Sequence, residues 1–163
     1  MTSLTAQELL DWNDTTAQNW RALLEQHPEA LAFPCDVRES ETVADLLQHI
    51  VAVELRYAQQ LHSEPTTDYA DIPKSTVAEI FHTHDLALEK YRTLIADSSF
   101  DWNKDIDVVT RSLGAFVCPR RAIMFHALLH GIRHYAQLAT LLRHRGIAPN
   151  WHMDYLMMAA RRA

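Results

Sequence analysis

Between Pro119 and Gly146 the chain has helical punctuation at both ends and an apolar middle. Proline suits the first turn of a helix, where its missing amide donor costs nothing, and glycine suits the residue just past the end. The spacing predicts a helix from about Pro119 to Arg145, spanning about 40 Å at 1.5 Å per residue. Its middle, Phe125-His-Ala-Leu-Leu-His-Gly-Ile-Arg-His-Tyr-Ala-Gln-Leu138, is apolar nearly all round, which marks it as the central helix of a bundle. The rest of the chain agrees: only three glycines and six prolines argue against an all-β fold, which needs a turn signal every few residues.

Three further helices are announced by their first turns. Thr5-Ala-Gln-Glu8 is a capping box opening a helix that runs to about Gln26, ahead of Pro28. Thr42 opens a second, with Asp45 standing where a Glu is usual. It ends near His62, with Leu46, Leu47, Ile50, Val53, Leu55 and Tyr57 on a broad apolar face. Thr76-Val-Ala-Glu79 opens a third, to about Ala96, with Ile80, Ala87, Tyr91 and Leu94 inward. Residues 97–118 are the least helical, and Asp107 to Val117 fits a short hairpin or an irregular crossover. A short fifth helix is predicted from His152 to Arg161, after Pro149. The expectation is one all-α domain over residues 1–163, a four-helix bundle with a long crossover and a short C-terminal helix.

Several function classes are excluded early. A formal charge of −6 gives no reason to expect binding to nucleic acid. The cluster Arg143, Arg145, Arg161 and Arg162 reads as cations complementing helix ends. Glu8, Asp11 and Asp14 leave no apolar signal segment near the start, and no run of eighteen apolar residues predicts a membrane span. Cys35 and Cys118 stand far apart without a CxxC spacing, so the expectation is a cytoplasmic protein with reduced thiols.

Ten histidines is a high number, and most have an ordinary explanation. His27, His62, His144 and His152 fall at helix ends; His82 and His84 are two apart and cannot chelate together. His126, His130 and His134 recur every four residues along one helix face, so adjacent members can share a metal ion. His49 sits mid-helix among apolar residues, where an unpaired imidazole is expensive. Two histidines a turn apart plus one on another helix are what a three-histidine site in a bundle requires. Such a site leaves open positions on Zn²⁺ or Ni²⁺, as catalytic sites do. Successive members of the ladder drift by about 40° round the helix, so helical geometry alone leaves both His126/His130 and His130/His134 open.

His130-Gly-Ile-Arg-His134-Tyr-Ala-Gln137-Leu resembles the signature of the DinB-like (DinB/YfiT) family of helical-bundle metalloenzymes. Leu46-Leu-Gln-His49-Ile-Val-Ala-Val-Glu54 resembles that family's second-helix motif, and Pro149…Asp154-Tyr-Leu its closing segment. The resemblance implies an up-down-down-up four-helix bundle, often a homodimer. It implies His49, His130 and His134 as metal ligands and leaves His126 a neighbour. The pattern departs after the last histidine, where the family usually has Arg-Gly and this chain has Tyr135 and Ala136; Gln137 keeps its place. Members of known activity use the metal to activate a low-molecular-weight thiol toward an electrophilic small molecule.

These readings lead to a metal-dependent thiol S-transferase, with the catalytic residues beyond the metal unassigned. One alternative is a hydrolase using metal-bound hydroxide, with Glu54 or Asp154 as candidate general base. Another is a bundle that binds a metal or small ligand without catalysis. Cys118, just before Pro119, reads as a small buried apolar residue rather than a reactive thiol.

Overall fold

Each predicted capping box closes in the structure, a computed structural model that describes residues 3–37, 39–110 and 114–161. Helix α1 (Ala6–Gln26) starts where Thr5 Oγ1 accepts from the Glu8 amide at 3.1 Å and the Glu8 carboxylate accepts from the Thr5 amide at 2.8 Å. Helix α2 (Val43–Leu61) uses the shorter Asp45 for the same exchange with Thr42, at 3.2 and 2.9 Å. Helix α3 (Val77–Ala96) repeats it between Thr76 and Glu79. Each box satisfies two amides that the first turn would otherwise leave unpaired.

After α3 the chain takes the hairpin alternative. Strands β1 (Asp105–Thr110) and β2 (Gly114–Pro119) pair antiparallel, from Asp105 opposite Pro119 to Thr110 opposite Gly114. Gly114 has φ +81°, a conformation in which a side chain would be strained. The connecting residues 111–113, within the predicted hairpin, and Arg162, one of the predicted helix-end cations, lie outside the described residues. The fold is therefore mostly helical with one small sheet, rather than helical throughout.

Helix α4 (Arg120–Arg143) is the longest, but it is not the central helix its sequence suggested. The packed pairs are α2–α3, α2–α4, α1–α3 and α1–α4, so α4 rests on two neighbours and keeps an outer face. Leu129 on that face is 47% exposed, and Arg133 is exposed as well. The core has two parts, one around Trp20, Ile50, Phe81, Tyr135 and Leu138 and one around Leu10, Leu88, Tyr91, Met124 and Leu128.

The predicted C-terminal helix is much shorter than expected, only Leu156–Ala159 (α5). The residues before it serve α1 instead. Trp12 Nε1 donates to the Met153 carbonyl at 2.8 Å, Trp151 packs edge-on to Trp20 at 5.2 Å, and Tyr155 packs edge-on to Trp12 at 5.5 Å. A carbonyl held by an indole and rings spread over a neighbouring helix leave this segment irregular. No helix among the described residues is long and apolar enough to cross a membrane.

Candidate metal centre

The i, i+4 spacing on α4 and a mid-helix position on α2 bring three imidazoles edge to edge. His130 Nε2 lies 3.0 Å from His49 Nε2 and 3.1 Å from His134 Nε2. One ring nitrogen from each of the three lies within 4.8 Å of the others. His130 and His134 are buried and His49 is half-buried. His126, one turn earlier, stays outside this convergence. Its ring packs 5.5 Å from His130 and 5.7 Å from Tyr57. Of the two pairs that helical periodicity leaves open, His130/His134 is the one that converges with His49.

Far-side contacts fix two of the rings. His134 Nδ1–H donates to Gln137 Oε1 at 2.6 Å, which leaves a lone pair on Nε2 facing the cluster. His49 Nδ1 lies 3.2 Å from the Tyr69 hydroxyl, with which it exchanges a hydrogen bond. His130 Nδ1 is buried without a hydrogen-bond partner among the described residues. Burial, then the neighbouring His134 and His49, push the His130 pKa down to about 2, so its imidazole is neutral, as ligation requires.

This donor set fits a divalent ion. A single proton on His130 Nε2 cannot point along both close N···N contacts, whereas a cation among three lone pairs satisfies all of them. Tetrahedral nitrogen ligands about 2.0–2.1 Å from Zn²⁺ stand roughly 3.3 Å apart, near the two short separations here. Three protein ligands leave room for a further one, and that side opens on a cavity of about 610 Å³. His49 and His130 line it together with Arg56, Tyr57, Tyr69 and Arg133. Of these, Arg133 was in view within the histidine motif, while Tyr69 comes from a Pro- and Thr-rich loop that gave no signal.

The two carboxylates considered as general bases are not in this cavity. Asp154 belongs to the C-terminal segment, where its carbonyl accepts from the Met157 amide at 2.9 Å. Glu54 is fully buried on α2, and its Oε2 accepts from His84 Nδ1–H at 2.7 Å. On the other side of that ring, His84 Nε2 stands 3.5 Å from Asp14 Oδ1, a long charge contact rather than a well-formed hydrogen bond. Arg92 pairs with Asp14 from the surface. Burial disfavours a charged His84, but Glu54 and Asp14 together outweigh it and push its pKa up to about 9. Asp14 is held at about 2, chiefly by the adjacent His84 and against the effect of burial. The α1–α2–α3 interface thus contains a carboxylate–imidazolium–carboxylate triad that the sequence did not disclose.

The cysteines stand apart from both groups. Cys35 is buried and Cys118 is half-buried on β2, and burial raises both thiols. Neither is a poised nucleophile.

Among protein-family models, the one described as the DinB family matches residues 1–162. No curated protein matches the chain.

Proposed function

The chain belongs to the DinB family, and on that premise we propose that it binds a divalent ion, zinc or nickel, through His49, His130 and His134 and acts as a metal-dependent thiol S-transferase. The observation that carries this reading is the convergence of three imidazoles at the edge of a cavity large enough for a small molecule. An ion held there would lower the pKa of a thiol and supply it as thiolate at neutral pH. The chain's own part is to orient and enclose. Gln137 sets the His134 tautomer, Tyr69 steadies His49, and Tyr57 and His126 form part of the wall beside which an electrophile would lie. The absence of Glu54 and Asp154 from the cavity lining removes the two carboxylates that the hydrolase alternative considered as bases.

The same reading takes residues 1–163 as one domain and the four long helices as an up-down-down-up bundle, which the pairing of α1 and α2 each with α3 and α4 supports. It also takes the protein as a cytoplasmic homodimer, the dimer being checked by sedimentation. The deciding experiment is elemental analysis of untagged protein beside His49→Ala and His134→Ala. The wild type retains about one ion per chain and the variants lose it; equal metal content in all three removes the site. Turnover of a small thiol with a chromogenic aryl chloride, dependent on the ion, then tests the reaction.

A further inference from the structure

The cavity beside the three histidines carries two cations that no carboxylate pairs with among the described residues. Arg56 and Arg133 both line it, and neither takes part in an ion pair among the described residues. Other cations near acids are committed: Lys74 to Asp45, Lys90 to Glu64, Arg92 to Asp14 and Arg21 to Asp85. The two acids on the lining form no ion pair with either arginine. Asp45 is occupied by the Thr42 cap and by Lys74. Glu39, the other one, lies on the connector before α2.

Both guanidiniums are also positioned. Arg56 lies over the Tyr69 ring, 5.4 Å from its centroid, and donates through one nitrogen to the Thr67 carbonyl. A guanidinium offers five N–H donors in a fixed fork, so these contacts leave a paired edge for an oxyanion. Arg133 reaches His134 Nε2 at 3.2 Å, the lone pair that an ion at the histidine cluster would also use. Guanidinium and ion exclude one another at that atom, and the cavity is the other surface Arg133 serves. The lining further includes Gln60, whose amide oxygen is buried without a hydrogen-bond partner among the described residues. A buried acceptor of this kind calls for a hydrogen-bond donor, which the body of an occupant and not its carboxylate would supply.

We infer that this cavity takes a small carboxylate-bearing ligand, gripped by Arg56 and Arg133, with the rest of the molecule directed toward the histidine cluster. The inference deepens the thiol-transfer reading and rests on it for what lies at the metal end. It does not rest on it for the clamp, because the two arginines are present whether or not an ion is bound. Arg–carboxylate pairing is planar and bidentate, so the site discriminates a carboxylate from a neutral group of similar size.

The test is calorimetric titration of zinc-loaded protein at fixed ionic strength with mercaptoacetate and with 2-mercaptoethanol, which share the thiol and differ in the carboxylate. Mercaptoacetate binds about tenfold more tightly, the ratio expected for one charge-assisted pair worth about 1.4 kcal/mol. In Arg133→Gln and Arg56→Gln that ratio collapses to roughly twofold or less, with zinc content and helicity unchanged. Equal affinity of the wild type for both thiols, or a preference that survives both substitutions, overturns the clamp. If the protein takes up no zinc, the metal reading fails by itself. Succinate titrated into chelator-treated protein then decides the clamp: binding lost in both variants supports it, and no binding by the wild type overturns it.

Discussion

His84→Gln probes the buried triad most directly. The substitution keeps a polar side chain of similar reach and removes the positive charge that lies between Glu54 and Asp14. In the folded protein the His84 pKa stands at about 9, against an ordinary 6.5, and the ring is fully buried. At roughly 1.4 kcal/mol per pH unit, that difference is worth about 3 kcal/mol. This agrees with the roughly 3–5 kcal/mol lost when one partner of a buried ion pair is removed. The sign follows from the raised value. The stabilisation is fully present below pH 6.5, falls as pH rises between 6.5 and about 9, and is gone above that. Urea unfolding of wild type and variant at several pH values, followed by far-ultraviolet circular dichroism, isolates the His84 contribution as a difference. The gap is expected to be about 3 kcal/mol near pH 6 and to shrink by roughly 1.4 kcal/mol per pH unit above 6.5. A gap that stays constant from pH 6 to 9.5 would show that His84 is neutral in the folded protein and refute the triad as an ionic unit.

Other expectations follow from individual contacts. A Cβ at Gly131 would lie 2.9 Å from Asn13 Nδ2 and 3.0 Å from Glu54 Oε1. Gly131→Ala is therefore expected to lose about 1–3 kcal/mol to overpacking, more than the roughly 1 kcal/mol that alanine gains in a helix; a more stable variant in urea unfolding contradicts the close approach. Thr76→Ala removes the side-chain arm of the α3 capping box, the hydroxyl that accepts from the Glu79 amide, and is expected to cost about 1 kcal/mol by the same measurement. An unchanged denaturation midpoint would deny the cap any role. Chelation is expected to lower the melting temperature of metal-loaded protein by about 5–10 °C, from roughly 2.7 kcal/mol of binding linkage at a hundredfold excess of ion over Kd. The His130→Ala melt should not respond to chelator, and a response equal to the wild type's would place the ion elsewhere.

The helix starts were legible because capping is a local code. Thr5 with Glu8, Thr42 with Asp45 and Thr76 with Glu79 declare themselves within four residues, and each closes as read. The histidine convergence was half legible. Spacing along α4 gave a ladder and left two pairs open; the family resemblance pointed to His130 and His134, and the packing of α2 against α4 brings those two, and not His126, together with His49. The triad was hidden because its members lie on three helices, at positions 14, 54 and 84. Comparing His84 with its neighbour His82 missed that an imidazole so deeply buried needs an acid from elsewhere. The C-terminal helix was overread for a similar reason. Local propensity favoured it, while tertiary contacts from Trp12 and Trp20 claimed its first residues for α1.

That docking of the C-terminal segment has an optical consequence. Three of the four tryptophans, Trp12, Trp20 and Trp151, meet where this segment crosses α1, and Trp20 also stacks on Tyr135 at 6.2 Å. Indole emission will therefore be dominated by the fit of the segment from Trp151 to Tyr155 against one helix, whereas circular dichroism averages over all the helices. Curves from the two probes that separate in denaturant would report the strap peeling away while the helices remain, so the protein carries its own reporter for how firmly its two ends are joined.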